Sequence, residues 1–577
     1  MKRKLLFLFV ITFVSVINTF AQSKKRDAGF RSPLDFPLYL SGSFGELRSG
    51  HFHSGIDIKT GGVTGKRVHA IADGYVSRIK ISLGGYGKAL YITHPNGYMS
   101  VYGHLSKFND TIQSYVKTTQ YDRESYTVEI FPPKNLFKIK KGDVIAYTGN
   151  SGSSGGPHLH FEIRDAKTQY PLNPLLFKNI KVADHRHPLI ISLALYPVDD
   201  TSLINGKNDT LVLPVLGSGK NCFLKNNSII STHGNISFGI RTYDLTDKIN
   251  NKNGIYKIDL FIDTAKVFEL VMDKISFYTT RYINSLIDYR YYQKRGKRII
   301  RIQKDTNNRL FNYKTVINSG IFKFDDDRKH RITFLVSDIE NNPAKLTFYV
   351  KGNLKPTDFK TAKEEKRDSN AVFVKFDKPL KIKGERFSAD FPANSFYRSF
   401  YLTYNETGSN DSSLSRIIDL GSRFVPVHKR FGLSIIPDTV PPHIKEKMYI
   451  AKIEKDDIFY AGGDWKKNAL YTRIREFGKY AVFADTVPPV IKALNFRSGK
   501  TVSSQKSLKL VIKDSETGIK KYRATVNGNW LLMEYDKKND LLTYFTDEHL
   551  KKGKNNFKLV VYDNSGNKSE YEAVIIR

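Results

Sequence analysis

Residues Gly156-Pro157-His158-Leu159-His160-Phe161-Glu162 decide how the N-terminal part of the chain is read. Their alternation is that of a β-strand. Successive side chains on a strand point to opposite faces, so His158, His160 and Glu162 share one face while Leu159 points into a core. Two histidines at that spacing suit different tasks, one binding a metal and the other reaching the water or substrate beside it. The preceding loop, Gly149 to Gly156, is built of glycine and serine. It lacks the Gly-Lys-Ser/Thr ending of a phosphate loop and leads into a strand rather than a helix, which excludes that function. Lys138 to Thr148 reads as another strand. Leu90 to Ile92, the turn His94-Pro95-Asn96-Gly97 and Tyr98 to Leu105 read as a hairpin. Residues 109 to 133, rich in Tyr, Thr and charge, read as an insertion bordering the substrate groove.

Upstream, Asp57 lies in Gly55-Ile56-Asp57-Ile58, with the two isoleucines on one face and the carboxylate on the other. His53 is four residues earlier. A fully extended chain would separate the two by about 13 Å, too far to share one ion. The chain is therefore expected to bend at Ser54-Gly55, where glycine makes bending easy. His51 is the alternative if the local bend slips by two residues. In Tyr98-Met99-Ser100-Val101-Tyr102-Gly103-His104-Leu105, alternation places His104 with Tyr98, Ser100 and Tyr102 on a polar face. A His, Asp, His set with one open position is the composition of a catalytic zinc site. A closed structural site is usually rich in cysteine, and the single cysteine, Cys222, excludes one.

These residues resemble the lysostaphin or LytM-type zinc metallopeptidases, family twenty-three of the metallopeptidases. The family pattern of His-x-x-x-Asp, a Tyr-x-His strand and His-x-His is matched by His53 and Asp57, Tyr102 and His104, and His158 and His160. Phe44-Gly45, Gly97-Tyr98 and Lys141-Gly142 supply matching context. The resemblance covers about 130 residues. It implies that His53, Asp57 and His160 ligate one Zn2+ per catalytic domain, and that His104 and His158 are the catalytic histidines. It further implies peptidoglycan peptides as substrate. Family members that act only as activators or scaffolds usually lack some of these five residues, and none is missing here. Glu162 is expected to act no more directly than through its neighbours. The remaining histidines, among them His69, His94, His330 and His428, are read as ordinary surface or core residues.

Outside this unit the chain is long and basic, with 577 residues, 92 Lys+Arg against 57 Asp+Glu and a formal net charge of +35. That length gives several domains, and 40% hydrophobic residues give each a core. Disorder as the main state and a disulfide scaffold are excluded. Lys2, Arg3 and Lys4, the apolar run Leu5 to Val16 and the closing Thr19-Phe20-Ala21 have the three parts of a secretory leader, with cleavage after Ala21. The apolar core is too short to span a bilayer, so no transmembrane helix is expected in the mature chain. Export to the periplasm or cell envelope of a bacterium turns the charge toward anionic envelope polymers and away from nucleic acid.

From about Lys181 the sequence is Lys-, Asn- and Tyr-rich with repeated short strands. Gly254-Ile255-Tyr256-Lys257-Ile258 compares with Gly518-Ile519-Lys520-Lys521-Tyr522, and Val336-Ser337-Asp338 with Asn342 compares with Val561-Tyr562-Asp563 with Asn567. Such recurrence suggests two immunoglobulin-like sandwiches. A second repeat, Asp438-Thr439-Val440-Pro441-Pro442 and Asp485-Thr486-Val487-Pro488-Pro489, marks connections between β units, because paired prolines cannot donate ladder hydrogen bonds. The expected architecture is all-β. It comprises a leader at 1–21, a LytM-type antiparallel peptidase domain at 22–180, an immunoglobulin-like domain with insertions at 181–355, a β-rich region at 356–484 and an immunoglobulin-like domain at 485–577. The strands of 356–484 either form their own unit or extend the neighbouring ones. The β modules offer surfaces for protein partners. The rival to an enzyme is a non-catalytic envelope scaffold or amidase activator that keeps the fold.

Overall fold

The His158–Asp165 strand is the middle of the N-terminal sheet, with the Ile56–Lys59 strand on one side and the Tyr98–Gly103 strand on the other. The computed structural model describes residues 25–225, 229–353, 371–409 and 412–577; the leader read at 1–21 lies outside them. Outward from the central strand, the sheet continues through Leu40–Gly42 on one flank. On the other flank it runs through Lys88–Thr93, Gly74–Ile81 and Val128–Ile130. All these pairings are antiparallel; in the Gly74–Ile81, Lys88–Thr93 and Tyr98–Gly103 run, short loops between sequential strands allow it. Leu159, Phe161 and Ile163 are fully buried on the core face, together with Ile56, Ile58 and Tyr102. The class is all-β.

Sequence and structure differ in three places. Lys138 to Thr148 is two short strands, Lys138–Ile139 and Val144–Tyr147, broken by a turn in which Asp143 accepts from the Lys140 amide. The first strand joins the large sheet and the second a small one with Arg67–His69 and Lys107–Phe108. The stretch read as an insertion forms the Asp110–Asp122 helix, capped by the Asn109 side chain, and the Val128–Ile130 strand. That strand occupies the sheet edge remote from the histidines, and the helix meets the C-terminal domain, Tyr121 stacking on His549 at 3.9 Å. The described contacts of this segment are thus with its own sheet and with another domain, away from the histidines.

Beyond residue 180 every sheet is again built mainly of antiparallel strands. The buried residues of 189–350 are continuous with the peptidase core, so no gap in packing separates the two. Backbone hydrogen bonds cross the junction, from Asn173 to Asp273 and from Ile275 to Pro171. Cys222 is a free, buried thiol in this region. Among the described residues, the strands of 372–484 pair only with one another, in two five-stranded sheets and a two-stranded ribbon around a core of their own, and do not extend their neighbours' sheets. Residues 490–576 form two four-stranded sheets facing a third core. Among the described residues, no helix is long and apolar enough to cross a membrane.

Because Phe161 fills the core directly beneath the two histidines, against Tyr102, truncating it leaves a cavity where the site is anchored. Phe161→Ala is expected to destabilise the N-terminal domain by about 3–5 kcal/mol, read as a lower calorimetric transition and faster amide exchange in the three central strands.

Candidate metal centre

Register brings the site together. His160 pairs with Asp57 on one side and with Gly103 on the other, so the Asp57 and His160 side chains rise from the same face. The chain bends where expected: the His51–Phe52 strand ends, Ser54 and Gly55 turn, and a new strand starts at Ile56. A Cβ at Gly55 would stand 2.3 Å from the Phe161 carbonyl oxygen, so only glycine lets the bend pack this closely. The bend carries His53 Nε2 to 3.0 Å from Asp57 Oδ1. His51 is exposed and its ring meets the Ser49 carbonyl, away from the cluster.

His104 reaches the site by a route that alternation does not describe. The strand stops at Gly103, and His104 itself has a left-handed backbone, φ 58°. Tyr102 and Ser100 face away from the site histidines, the Tyr102 hydroxyl accepting from the buried Ile71 amide on the core side and Ser100 meeting His94. The left-handed turn swings His104 back over the other face, with ring centroids 4.7 Å from His158 and 5.8 Å from His160. The polar face expected to hold His104 with Tyr98, Ser100 and Tyr102 is therefore corrected.

Each of the four imidazoles has one nitrogen tied to an acceptor, which leaves the other free. His53 Nδ1–H donates to the Ser43 carbonyl at 2.8 Å. His160 Nε2–H donates to Glu162 Oε1 at 2.9 Å. His158 Nδ1–H donates to the Gly156 carbonyl and His104 Nδ1–H to the Ser151 carbonyl, both at 2.8 Å. The nitrogens so released converge. His53 Nε2 and His160 Nδ1 are 3.1 Å apart, and both lie within 3.0 Å of Asp57 Oδ1. Three donors around one tetrahedral ion at zinc distances stand about 3.4 Å apart, so the set closes on an ion with a few tenths of an ångström of adjustment. His158 Nε2 is buried, has no hydrogen-bond partner and points toward the same carboxylate at 3.4 Å. The residues fit a metal with an open position. His53, Asp57 and His160 form a group able to hold it.

Charge follows the same geometry. Burial would raise the Asp57 carboxyl, but the three surrounding histidines hold it well below the usual carboxylate range. Arg48 holds its other oxygen at 2.8 Å. Burial lowers His53 and, with the nearby His160 and His158, pushes His104 down to about 3. His160 behaves oppositely. Burial would lower it, yet hydrogen bonds to Asp57 and Glu162 carry it to about 9, so in the metal-free protein a proton stands where a metal would bind.

Glu162 does more than expected from its sequence position. It is fully buried, and Ser54, Tyr86, His160 and Arg164 all direct hydrogen bonds at it. Tyr86, which also stacks on His160 at 4.9 Å, was not legible as a site residue. It sits in the glycine-rich Gly84-Gly85-Tyr86-Gly87, which carries no strand or motif signal. Arg164 does have one, because it continues the face of His158, His160 and Glu162. The other histidines are satisfied elsewhere: His94 between Asp73 and Ser100, His69 against Gly142 and Asp35, and His330 between Asp263 and Asp326.

Residues 51–121 and 134–174, which include all five of these residues, match the model of Peptidase family M23. They form an M23 peptidase domain. The break in the match falls within the stretch read as an insertion. Residues 371–485 match the model of a Zu5-like domain, which supplies the type of the region read only as β-rich. The chain is 33% identical over 129 residues to the DD-carboxypeptidase/endopeptidase Mpg of Neisseria meningitidis serogroup B, covering 22% of this chain and 23% of that protein. It is 34% identical over 134 residues to the murein hydrolase activator NlpD of Escherichia coli K12, covering 23% and 28%. The chain thus spans under a third of the length of these curated relatives. Among solved structures, the catalytic domain of the prophage-encoded M23 protein EnpA from Enterococcus faecalis aligns at 25% identity and TM-score 0.19, over 25% of this chain and 95% of that one. The catalytic domain of lysostaphin from Staphylococcus simulans aligns at 24% identity and TM-score 0.17, over 23% and 86%.

Since Glu162 fixes the tautomer of His160, Glu162→Gln is expected to weaken zinc binding about ten- to a hundredfold, measured by competition with a chromophoric chelator.

Proposed function

We propose that the chain is an exported zinc metalloendopeptidase that hydrolyses peptide bonds in the stem or cross-bridge peptides of peptidoglycan. The observation that carries this reading is the arrangement of the four imidazoles, each anchored through one nitrogen, with His53, His158 and His160 turning the other toward Asp57 and the His104 ring set against His158. His53, Asp57 and His160 would hold zinc, whose chemistry when bound is Lewis acidity toward a carbonyl and activation of water at neutral pH. His104 and His158 have no place in that ligand set. His104 is neutral near pH 7, so its free Nε2 can accept a proton from attacking water and return it to the leaving amine. His158 Nε2, buried and without a partner, is placed to orient the water or to donate to an oxyanion once protonated. Family members need no acid beside the metal if two histidines share these tasks. The leader at 1–21 and the basic composition support export toward an anionic envelope.

A second reading, a murein hydrolase activator without turnover, is favoured by the 34% identity to NlpD. The purified mature chain distinguishes the two. The enzyme reading expects about one zinc per chain and cleavage of cross-linked muropeptides. His160→Ala loses both metal and activity. His158→Ala keeps its zinc and loses activity by at least about a hundredfold. Cleavage that survives both substitutions sinks the enzyme reading, and zinc binding without cleavage favours the activator.

A further inference from the structure

At the seam between the peptidase domain and the sheet that follows it lies a second cluster of carboxylates, remote in sequence from the histidines. Asp184 is in the connection leaving the peptidase domain, Asp244 follows the Ile230–Tyr243 strand, and Asp338 follows the Lys329–Ser337 strand. One oxygen from each lies within 4.8 Å of the others, and all three residues are buried. Two oxygens bound to one calcium at about 2.4 Å can be no farther apart than this. The acids nearest them are Asp247, paired with His185, and Glu340, paired with Lys25; among the described residues no lysine or arginine side chain pairs with the three aspartates themselves. Burial and mutual repulsion push Asp244 up to about 9, Asp184 to about 7 and Asp338 to about 6.

A cluster of acids alone would identify nothing, but polar atoms of other kinds are stranded beside this one. Thr246 Oγ1, both side-chain polar atoms of Asn253, and Asp244 Oδ1 are buried without hydrogen-bond partners. Thr246 and Asn253 are 4% and 3% exposed. They line, with the three aspartates, a cavity of about 30 Å³ whose other wall is Ser43 and Phe44 of the peptidase domain. Burying a polar group without a partner is costly, so four such atoms lining one small cavity call for an occupant.

The sequence repeat supplies a comparison within the molecule. Asp485, Asp514 and Asp563 form a similar triad in the C-terminal domain. There the oxygens are taken by protein donors: the Thr517 hydroxyl and Val487 amide on Asp485, the Thr517 and Gly518 amides on Asp514, and the Asn567 side chain on Asp563. At the seam Asn342 and the Glu340 amide serve Asp338, the Arg186 amide serves Asp184 and the Leu245 amide faces Asp244, but Asp244 Oδ1 keeps no partner.

We propose that Asp184, Asp244 and Asp338, joined by the Asn253 amide oxygen and the Thr246 hydroxyl, form a calcium site that ties the peptidase domain to the following β domain. An all-oxygen donor set with three carboxylates selects a hard cation. Five protein ligands of irregular arrangement suit calcium, since magnesium demands near-octahedral geometry and keeps its waters. The site abuts the Gly254 amide, which donates to Ser43 Oγ at 2.7 Å, and the Ser43 carbonyl orients His53. Calcium therefore braces the segment that aims one of the histidines.

The test is titration of the mature chain, loaded with one equivalent of zinc and freed of other metals, with calcium chloride. Calorimetry is expected to show a bound equivalent, with the thermal transition rising by about 5 °C or more at saturation. Asp244→Asn loses that equivalent and the shift, yet unfolds close to the temperature of calcium-free wild type, because a neutral amide replaces a carboxyl that burial and its acidic neighbours already hold protonated. Should that variant fail to fold, Thr246→Val, which removes a ligand oxygen without adding volume, is expected to weaken calcium binding about tenfold. Asp514→Asn, in the hydrogen-bonded triad, leaves the equivalent in place. No heat and no shift up to about 5 mM calcium, or an equivalent retained unchanged in both Asp244→Asn and Thr246→Val, overturns the site.

Discussion

The pairing of His160 with Asp57 is the constraint on which the rest of the N-terminal domain depends. A strand has a side-chain period of two, so a slip of one residue between the His158–Asp165 and Ile56–Lys59 strands would turn one of these groups into the core. The apolar residues between them prevent the slip. Leu159 and Phe161 lie opposite Ile58 and Ile56, and all four are fully buried. The hydrophobic face of the sheet thus sets the register, and the register sets which polar groups meet on the other face. The grouping of His53, Asp57 and His160, which could hold a metal, is a consequence of core packing.

That polar face is itself buried, and burial dictates its composition. An ionised carboxylate cannot leave water without partners. Asp57 has three histidines and Arg48; Glu162 has Arg164, Tyr86, Ser54 and His160. Every partner that stabilises a carboxylate also fixes the orientation of a group at the centre. Arg48 turns one Asp57 oxygen away and leaves Oδ1 for the histidines. Arg164 neutralises Glu162, which stays ionised and accepts the His160 Nε2 proton. Preorganisation here has a simple origin, because these charges are too expensive to bury in any looser arrangement.

Much of this was legible in the residues themselves. The His158-x-His160 alternation fixed their common face, and the spacing from His53 to Asp57 demanded the bend that Gly55 permits. Alternation failed at His104 because it assumes that the strand continues, whereas a single left-handed residue reverses the face, and nothing in Tyr102-Gly103-His104 announces one. Tyr86 was hidden for a related reason: its position depends on a glycine-rich turn rather than a period. Downstream, the Asp-to-Asn turns at Asp338 and Asp563 were visible as a repeat, and in both the asparagine side chain closes on the aspartate at 2.7 Å. Their partners Asp184 and Asp244, or Asp485 and Asp514, were not, since they come from separate segments that only the fold brings together. The Zu5-like region offered strands without a motif, and its independence appears only in the separate core.

The acceptors that hold the imidazoles tie the small M23 domain to its long β tail. They are loop carbonyls, and loops are ordinarily the least constrained parts of a fold. Ser43, which holds His53, is engaged through its side chain by Gly254 of the following β domain. Ser151, which holds His104, lies in the Gly149 to Gly156 loop, whose Asn150 and Ser154 carbonyls accept from Lys538 of the C-terminal domain. Beside it, Lys88 donates to Glu534 at 2.8 Å while its backbone amide donates to Ser151 Oγ. Lys88 is buried, so this ion pair is shielded from the salt screening that weakens exposed pairs. Two separate domains therefore each brace, from outside, one loop whose carbonyl holds a histidine. The β modules are part of what sets the geometry of the site, and separating them from the peptidase domain would release the carbonyls that hold His53 and His104 in place.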